Sequence, residues 1–167
     1  MRQQIDRGPH AVVGRVGVWG HLDSLPTAEL VPYVQRVEEL GYDALWVPEV
    51  VGRDPFTLLG LLAGLTRRIR LGTSIVSVWG RDAQTMRMSA MTLQEASSGR
   101  FMLGLGISHA HMAERLHGRR YEKPLSLMRA YLEAYRSARY RGPRYEPHPD
   151  PPVVLAALRP RMLELAA

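Results

Sequence analysis

The segment from Arg68 to Ser108 constrains the fold more than any other part of the chain. It opens with Arg68-Ile-Arg-Leu-Gly-Thr-Ser-Ile-Val76, passes through an amphipathic run with a polar start, and closes with Ser97-Ser-Gly-Arg-Phe-Met-Leu-Gly-Leu-Gly-Ile-Ser108. This is a strand–helix–strand unit. The second strand, Arg100 to Gly106, is apolar at nearly every position, the signature of a strand covered on both faces of a parallel sheet. Gly104 and Gly106 are placed to release that strand into a loop. In parallel sheets the loops at the carboxyl ends of the strands hold ligands, so function is expected there.

The rest of the chain repeats the alternation. Arg15 to Trp19 reads as a first strand, and Leu30, Val34 and Val37 then recur at helical spacing up to a stop at Leu40-Gly41. Pro32 leaves the start of that helix open, since proline belongs in a first turn. Ala44 to Val47 is a second strand. Asp54-Pro55 supplies a cap and a first-turn proline for a helix over Phe56 to Leu65. Ile69 to Val76 is the third strand. Asp82 caps a helix that turns Met86, Ala90, Leu93 and Ala96 inward and stops at Gly99, and the Met86, Met88, Met91 group reads as packing. A polar connection is expected over His109 to Lys123. Pro124 then opens a helix with Leu125, Met128, Leu132 and Tyr135 on one face. Arg141 to Pro152 is proline-rich and irregular, Val153 to Ala157 is a fifth strand, and Pro160 begins a last helix.

Composition closes off several classes. At 167 residues, 46% apolar and 23% charged, the chain is ordinary globular material. No window nears the roughly 20 unbroken apolar residues of a membrane span, and Met1 to His10 lacks an apolar signal core, so a cytoplasmic protein is expected. The absence of cysteine removes disulfides, thiolate nucleophiles and thiolate-bound metals. The net charge of +6 is carried by arginines scattered among acids, with Lys123 the only lysine, so no nucleic-acid partner is expected. His109 and His111 lack a carboxylate at a recognised metal spacing, and no metal is expected.

Helical crossovers throughout mean a parallel α/β sheet. Two closures fit: a five-stranded doubly wound sheet, or the first part of an eight-stranded barrel, which typically takes about 250 residues. Periodicity leaves both open.

Three motifs carry a resemblance. Glu38-Glu-Leu-Gly-Tyr-Asp-Ala-Leu-Trp-Val-Pro-Glu49, Arg70-Leu-Gly-Thr-Ser-Ile-Val76 and Ser98-Gly-Arg-Phe-Met-Leu-Gly-Leu-Gly106 together resemble the luciferase-like monooxygenase family, in its deazaflavin-dependent oxidoreductase branch. The resemblance implies a (β/α)8 TIM barrel, of which residues 1–167 would be the N-terminal part of a single domain, with about five strands of eight and a truncated chain. It also implies hydride transfer between coenzyme F420, or alternatively FMN, and a small-molecule substrate. A ring carrier of this kind needs a flat apolar wall, polar groups at the ring edge and amide donors at its phosphate.

Residue by residue, the resemblance places a bulge or non-prolyl cis peptide at Ser74-Ile75 against the ring, and a phosphate-gripping turn at Gly106, Ile107, Ser108 and His109. It places an acidic residue, Glu49, near the ring as the catalytic candidate. Val50 stands where some members carry a catalytic histidine. Trp19 ends the first strand as a pocket wall or core residue and is counted with the cofactor-binding set. Five strands leave two open sheet edges, so self-association into a homo-oligomer is expected, with weak or absent activity in the isolated chain.

Overall fold

The computed structural model describes residues 16–167 of the chain. The expected strand start at Arg15 and the segment Met1 to His10 lie outside the described residues. Each predicted repeat is present: β1 (Gly17–Trp19), α1 (Thr27–Glu39), β2 (Ala44–Val47), α2 (Pro55–Leu65), β3 (Arg70–Thr73), β4 (Val76–Ser77), α3 (Ala83–Ala96) and β5 (Phe101–Gly106). They are followed by α4 (Ala110–Arg115), α5 (Pro124–Ser137), β6 (Val153–Leu155) and α6 (Pro160–Ala166).

The local signals act as the chemistry requires. The Asp54 carboxylate accepts from the Thr57 amide at 2.7 Å and that of Asp82 from the Thr85 amide at 2.9 Å, satisfying amides that α2 and α3 leave without helical partners. Gly41 ends the first repeat with φ +83°, a conformation open to glycine at little cost. Pro32 sits inside α1 instead of starting it. The Ala28 carbonyl left without its helical donor belongs to an exposed residue and can turn to water. The polar His109 to Lys123 connection contains α4, anchored by buried Ala113 and closed at Gly118 with φ +61°.

All strand pairs are parallel, and spatial order follows chain order: β1, β2, then the β3–β4 run, β5 and β6. A doubly wound sheet would reverse direction part-way, so this order is that of a barrel wall. Helices α1, α2, α3, α5 and α6 pack each against the next along one face of the sheet. Between helices and sheet lies a core that includes Leu30, Leu45, Leu59, Leu71, Met86, Phe101, Leu103, Leu105 and Met128. Phe101 is wholly buried, with its ring 5.9 Å from that of Phe56 on α2. Met86 and Met91 are buried as expected, whereas Met88 is half exposed. The 141–152 segment is irregular but held down, since Arg87 on α3 pairs with Asp150 at 2.7 Å and Gln94 donates to the His148 carbonyl at 2.9 Å.

The predicted third strand is broken. Leu71 lies opposite Phe101 on β5, but Val76 lies opposite Leu105, so the β3–β4 run carries one residue more than its partner. The Ser74–Ile75 peptide at this slip is cis. Thr73 fills the gap in the ladder: its hydroxyl donates to the Gly104 carbonyl and accepts from the Gly104 amide, both at 2.9 Å. The Thr73 backbone carbonyl approaches so closely that a Cβ on Gly104 would sit 1.8 Å from its oxygen. Gly104 is therefore demanded by the slip in the neighbouring strand.

Candidate functional site

An open cleft of about 1130 Å³ runs over the carboxyl ends of the strands. Its wall is assembled in strand order: Pro48 and Glu49 after β2, Ser74 and Ile75 between β3 and β4, Ile107 to His109 after β5, and Ala156 to Met162 after β6. Tyr121, Lys123, Leu125 and Ser126, around the start of α5, complete it. Six of the eight residues expected at the site, Glu49, Ser74, Ile75, Ile107, Ser108 and His109, thus share one cavity although they span sixty positions of sequence.

At the β2 end, Glu49 is fixed from two sides. Its amide donates to the Ile75 carbonyl at 3.2 Å, one carboxylate oxygen accepts from the Ser77 amide at 2.7 Å, and the other accepts from Arg81. The Arg81 guanidinium also reaches Asp54 and lies over the Phe56 ring, 5.1 Å from its centroid. The Tyr131 hydroxyl of α5 donates to the Arg81 carbonyl at 2.9 Å. Burial alone would lower the Arg81 pKa, but the hydrogen bond and charge of Glu49 and the charge of Asp54 outweigh it and hold the pKa above its ordinary value. Burial likewise works to raise Asp54, and the Thr57 hydrogen bonds with the Arg81 charge bring it below. With both oxygens accepting, Glu49 is a held acceptor at the cleft wall.

At the centre, the turn after β5 has its carbonyls engaged and its donors free. The Trp79 indole donates to the Ile107 carbonyl at 2.8 Å, and the Tyr121 hydroxyl approaches the Ser108 carbonyl at 3.5 Å. Ser108 takes a left-handed conformation, φ +51°. Among the described residues, the amides of Ser108 and His109 and the Ser108 hydroxyl find no partner within the chain. A turn that binds its carbonyls to side chains and presents its amides to a cavity suits an anion. The His109 and His111 rings are stacked, 5.8 Å apart and 6° from parallel.

The family model for luciferase-like monooxygenases matches residues 10–167. The chain belongs to the luciferase-like monooxygenase family. A Mycobacterium tuberculosis protein provisionally named as a coenzyme F420-dependent oxidoreductase is 32% identical over 92% of this chain and 51% of its own length. The 5,10-methylenetetrahydromethanopterin reductase of Archaeoglobus fulgidus is 30% identical over 83% of this chain and 46% of its own. Among solved structures, an F420-dependent secondary alcohol dehydrogenase in complex with an F420-acetone adduct superimposes with a TM-score of 0.78 at 15% identity, over 92% of this chain and 55% of that one. The F420-dependent tetrahydromethanopterin reductase of Methanopyrus kandleri gives 0.73 at 20% identity, over 90% and 52%. The described fold is accordingly a partial barrel of the luciferase-like type. The chain spans about half the length of the curated relatives it matches.

Two of the expected site residues of this luciferase-like chain lie elsewhere. Trp19 is neither core nor cleft wall: among the described residues β1 is an edge strand with a neighbour on one side only, and the Trp19 side chain remains 58% exposed. Its indole N–H donates to the Ser74 carbonyl at 3.2 Å, which joins it to the cleft floor from the side. Gly106 is the last residue of β5 and is buried. A Cβ there would meet Ile75 atoms at 2.8 Å and the Ala156 Cβ at 3.2 Å, so this glycine makes room for the floor and does not face the cavity.

The sequence reading missed Arg81, Tyr121, Lys123 and the Ala156 to Met162 wall. For that wall a signal existed: it follows a strand, as the turn at Ser108 does. No local pattern marks Arg81, whose partners lie 32 and 27 residues away.

Proposed function

We propose that this chain carries the coenzyme-binding cleft of an oxidoreductase that moves a hydride between coenzyme F420 and a small organic substrate, and that the described residues are the N-terminal part of one barrel domain. The observation that carries this reading is the shared cavity that joins an apolar floor at Ile75, a held carboxylate at Glu49 and unpartnered amides at Ser108 and His109. When bound, the deazaflavin supplies the hydride acceptor or donor. Ile75 and Ile107 would face the ring as its flat apolar wall. Ser108 and His109 would hold the phosphate through their amides and the Ser108 hydroxyl. Glu49, held by Ser77 and Arg81, would orient the ring edge as an acceptor. Leu125, Leu158 and Met162 line the same cavity and would exclude water from the reacting atoms.

A type II Baeyer-Villiger monooxygenase in complex with FMN also shares the fold.

 The FMN-bound structure is 15% identical over 78% of this chain and 42% of its own length, with a TM-score of 0.61, and at that identity it supports the fold alone.

Titration of the purified chain with F420 and, separately, with FMN tests the reading through fluorescence quenching. Saturable quenching of F420 is expected, weakened about fivefold in Ser108→Ala through loss of one hydrogen bond of about 1 kcal/mol. Saturation by FMN alone would move the assignment to the flavin enzymes, and binding of neither would overturn it.

A further inference from the structure

We propose that Trp79 is a positioning residue for anion binding: its indole pins the peptide between Ile107 and Ser108 so that the Ser108 amide is presented to the cleft. That the anion is the coenzyme's phosphate rests on the coenzyme reading above; the pinning itself rests on backbone geometry. In a trans peptide the carbonyl and the amide of one unit point in opposite directions. The 107–108 unit is trans, and its carbonyl accepts from the Trp79 indole N–H at 2.8 Å. Trp79 stands behind the turn and is not part of the cleft wall, whereas Ile107 and Ser108 both line it. Drawing the carbonyl back toward the indole therefore turns the amide of the same unit forward, and among the described residues that amide has no partner within the chain.

The backbone has a reason to turn the other way. Ser108 is held at φ +51°, a left-handed conformation that a residue with a side chain adopts at a cost. Turning the 107–108 peptide over by half a turn would return Ser108 to the negative φ range open to any residue, and would carry its amide away from the cleft. The indole bond opposes that turn. Its own seat is fixed: the Val78 amide donates to the Gly106 carbonyl at 3.1 Å, the Trp79 amide to the Ser77 hydroxyl at 3.3 Å, and the ring packs against that of Tyr121 with centroids 6.2 Å apart. Ser77 also gives its amide to Glu49 at 2.7 Å. The three residues from Ser77 to Trp79 thus set both the acceptor at the β2 end of the cleft and the donor at its centre.

Inorganic phosphate and F420 are the probes, each titrated into the chain while the backbone amide resonances are followed by NMR. The variants are Trp79→Phe and, at the same position, the benzothienyl isostere of tryptophan, which keeps the ring shape and loses only the N–H. Both are repeated in a Ser108→Gly background. In the wild type the Ser108 amide should shift on adding either probe. In both variants that response should vanish and affinity should fall about tenfold, the loss of one charge-assisted hydrogen bond. Glycine has no left-handed cost to relieve, so in its background the same changes should weaken binding only about threefold. Unchanged affinity in the isostere variant, a Ser108 amide that still responds there, or an undiminished loss in the glycine background would overturn the positioning role; saturable F420 binding by the wild type would leave the coenzyme reading standing. Phosphate binding that needs the indole N–H, in a chain that takes no F420, would uphold the role and refute the coenzyme reading. A wild type that binds neither probe would refute both.

Discussion

Replacing Arg81 by methionine removes the cation that joins Glu49, Asp54 and Phe56 while keeping much of the side-chain volume. The Glu49 side chain is only 17% exposed, and it would keep the Ser77 amide but lose its charged partner. Breaking a fully buried pair costs about 3–5 kcal/mol; Glu49 retains one hydrogen bond and some solvent, so about 2 kcal/mol is expected from it. Asp54 is 41% exposed and capped by Thr57, and adds little. The contact with the Phe56 ring adds about 0.5–1 kcal/mol. The variant should therefore lose about 3 kcal/mol, read in urea denaturation as a lower midpoint with an unchanged slope. Glu49→Gln removes the charge that Arg81 answers, so in the double variant the two losses should fall short of additivity by about 1–2 kcal/mol. A loss below about 1 kcal/mol in Arg81→Met, or additivity within about 0.5 kcal/mol, would refute the claim that Arg81 holds Glu49.

Two further outcomes are expected. Thr73→Val keeps the shape of the side chain but leaves the buried Gly104 amide and carbonyl without partners; at about 1–3 kcal/mol for each group, a loss of about 2–4 kcal/mol should appear in the same denaturation assay. One oxygen of Glu38 accepts from the amides of Arg67, Arg68 and Ile69 at 2.7–2.9 Å; burial works to raise its pKa, and these bonds outweigh it and hold the group below its ordinary 4.5. A depressed carboxylate stabilises the fold above its unfolded pKa and stops doing so as pH falls through the folded one. Stability should therefore drop as pH is lowered below about 4.5, and Glu38→Gln should flatten that drop, with denaturation midpoints measured from pH 7 to pH 3 as the check.

The elements of this chain were legible because their signals are local. An aspartate three residues before the amide it caps, a glycine at a helix stop and an unbroken apolar run each act within one or two turns of chain, and Asp54, Asp82, Gly41 and Phe101 to Gly106 do in the structure what they imply in the sequence. Strand order chose the barrel wall over the doubly wound sheet, a choice periodicity could not make, because both arrangements demand the same alternation. The site was legible only where the resemblance supplied positions, and tertiary structure reassigned some of them. Gly104 and Gly106 look like a loop-forming pair, yet the space they leave is taken by the Thr73 carbonyl and the Ile75 side chain from the neighbouring run. Trp19 reads as pocket wall or core and is exposed, because its strand lies at an edge among the described residues. Arg81 carries no local mark at all, and the Ala156 to Met162 wall only that it follows a strand. Their roles depend on the register between strands, which brings residues dozens of positions apart to one rim, and that register follows from packing across the whole sheet.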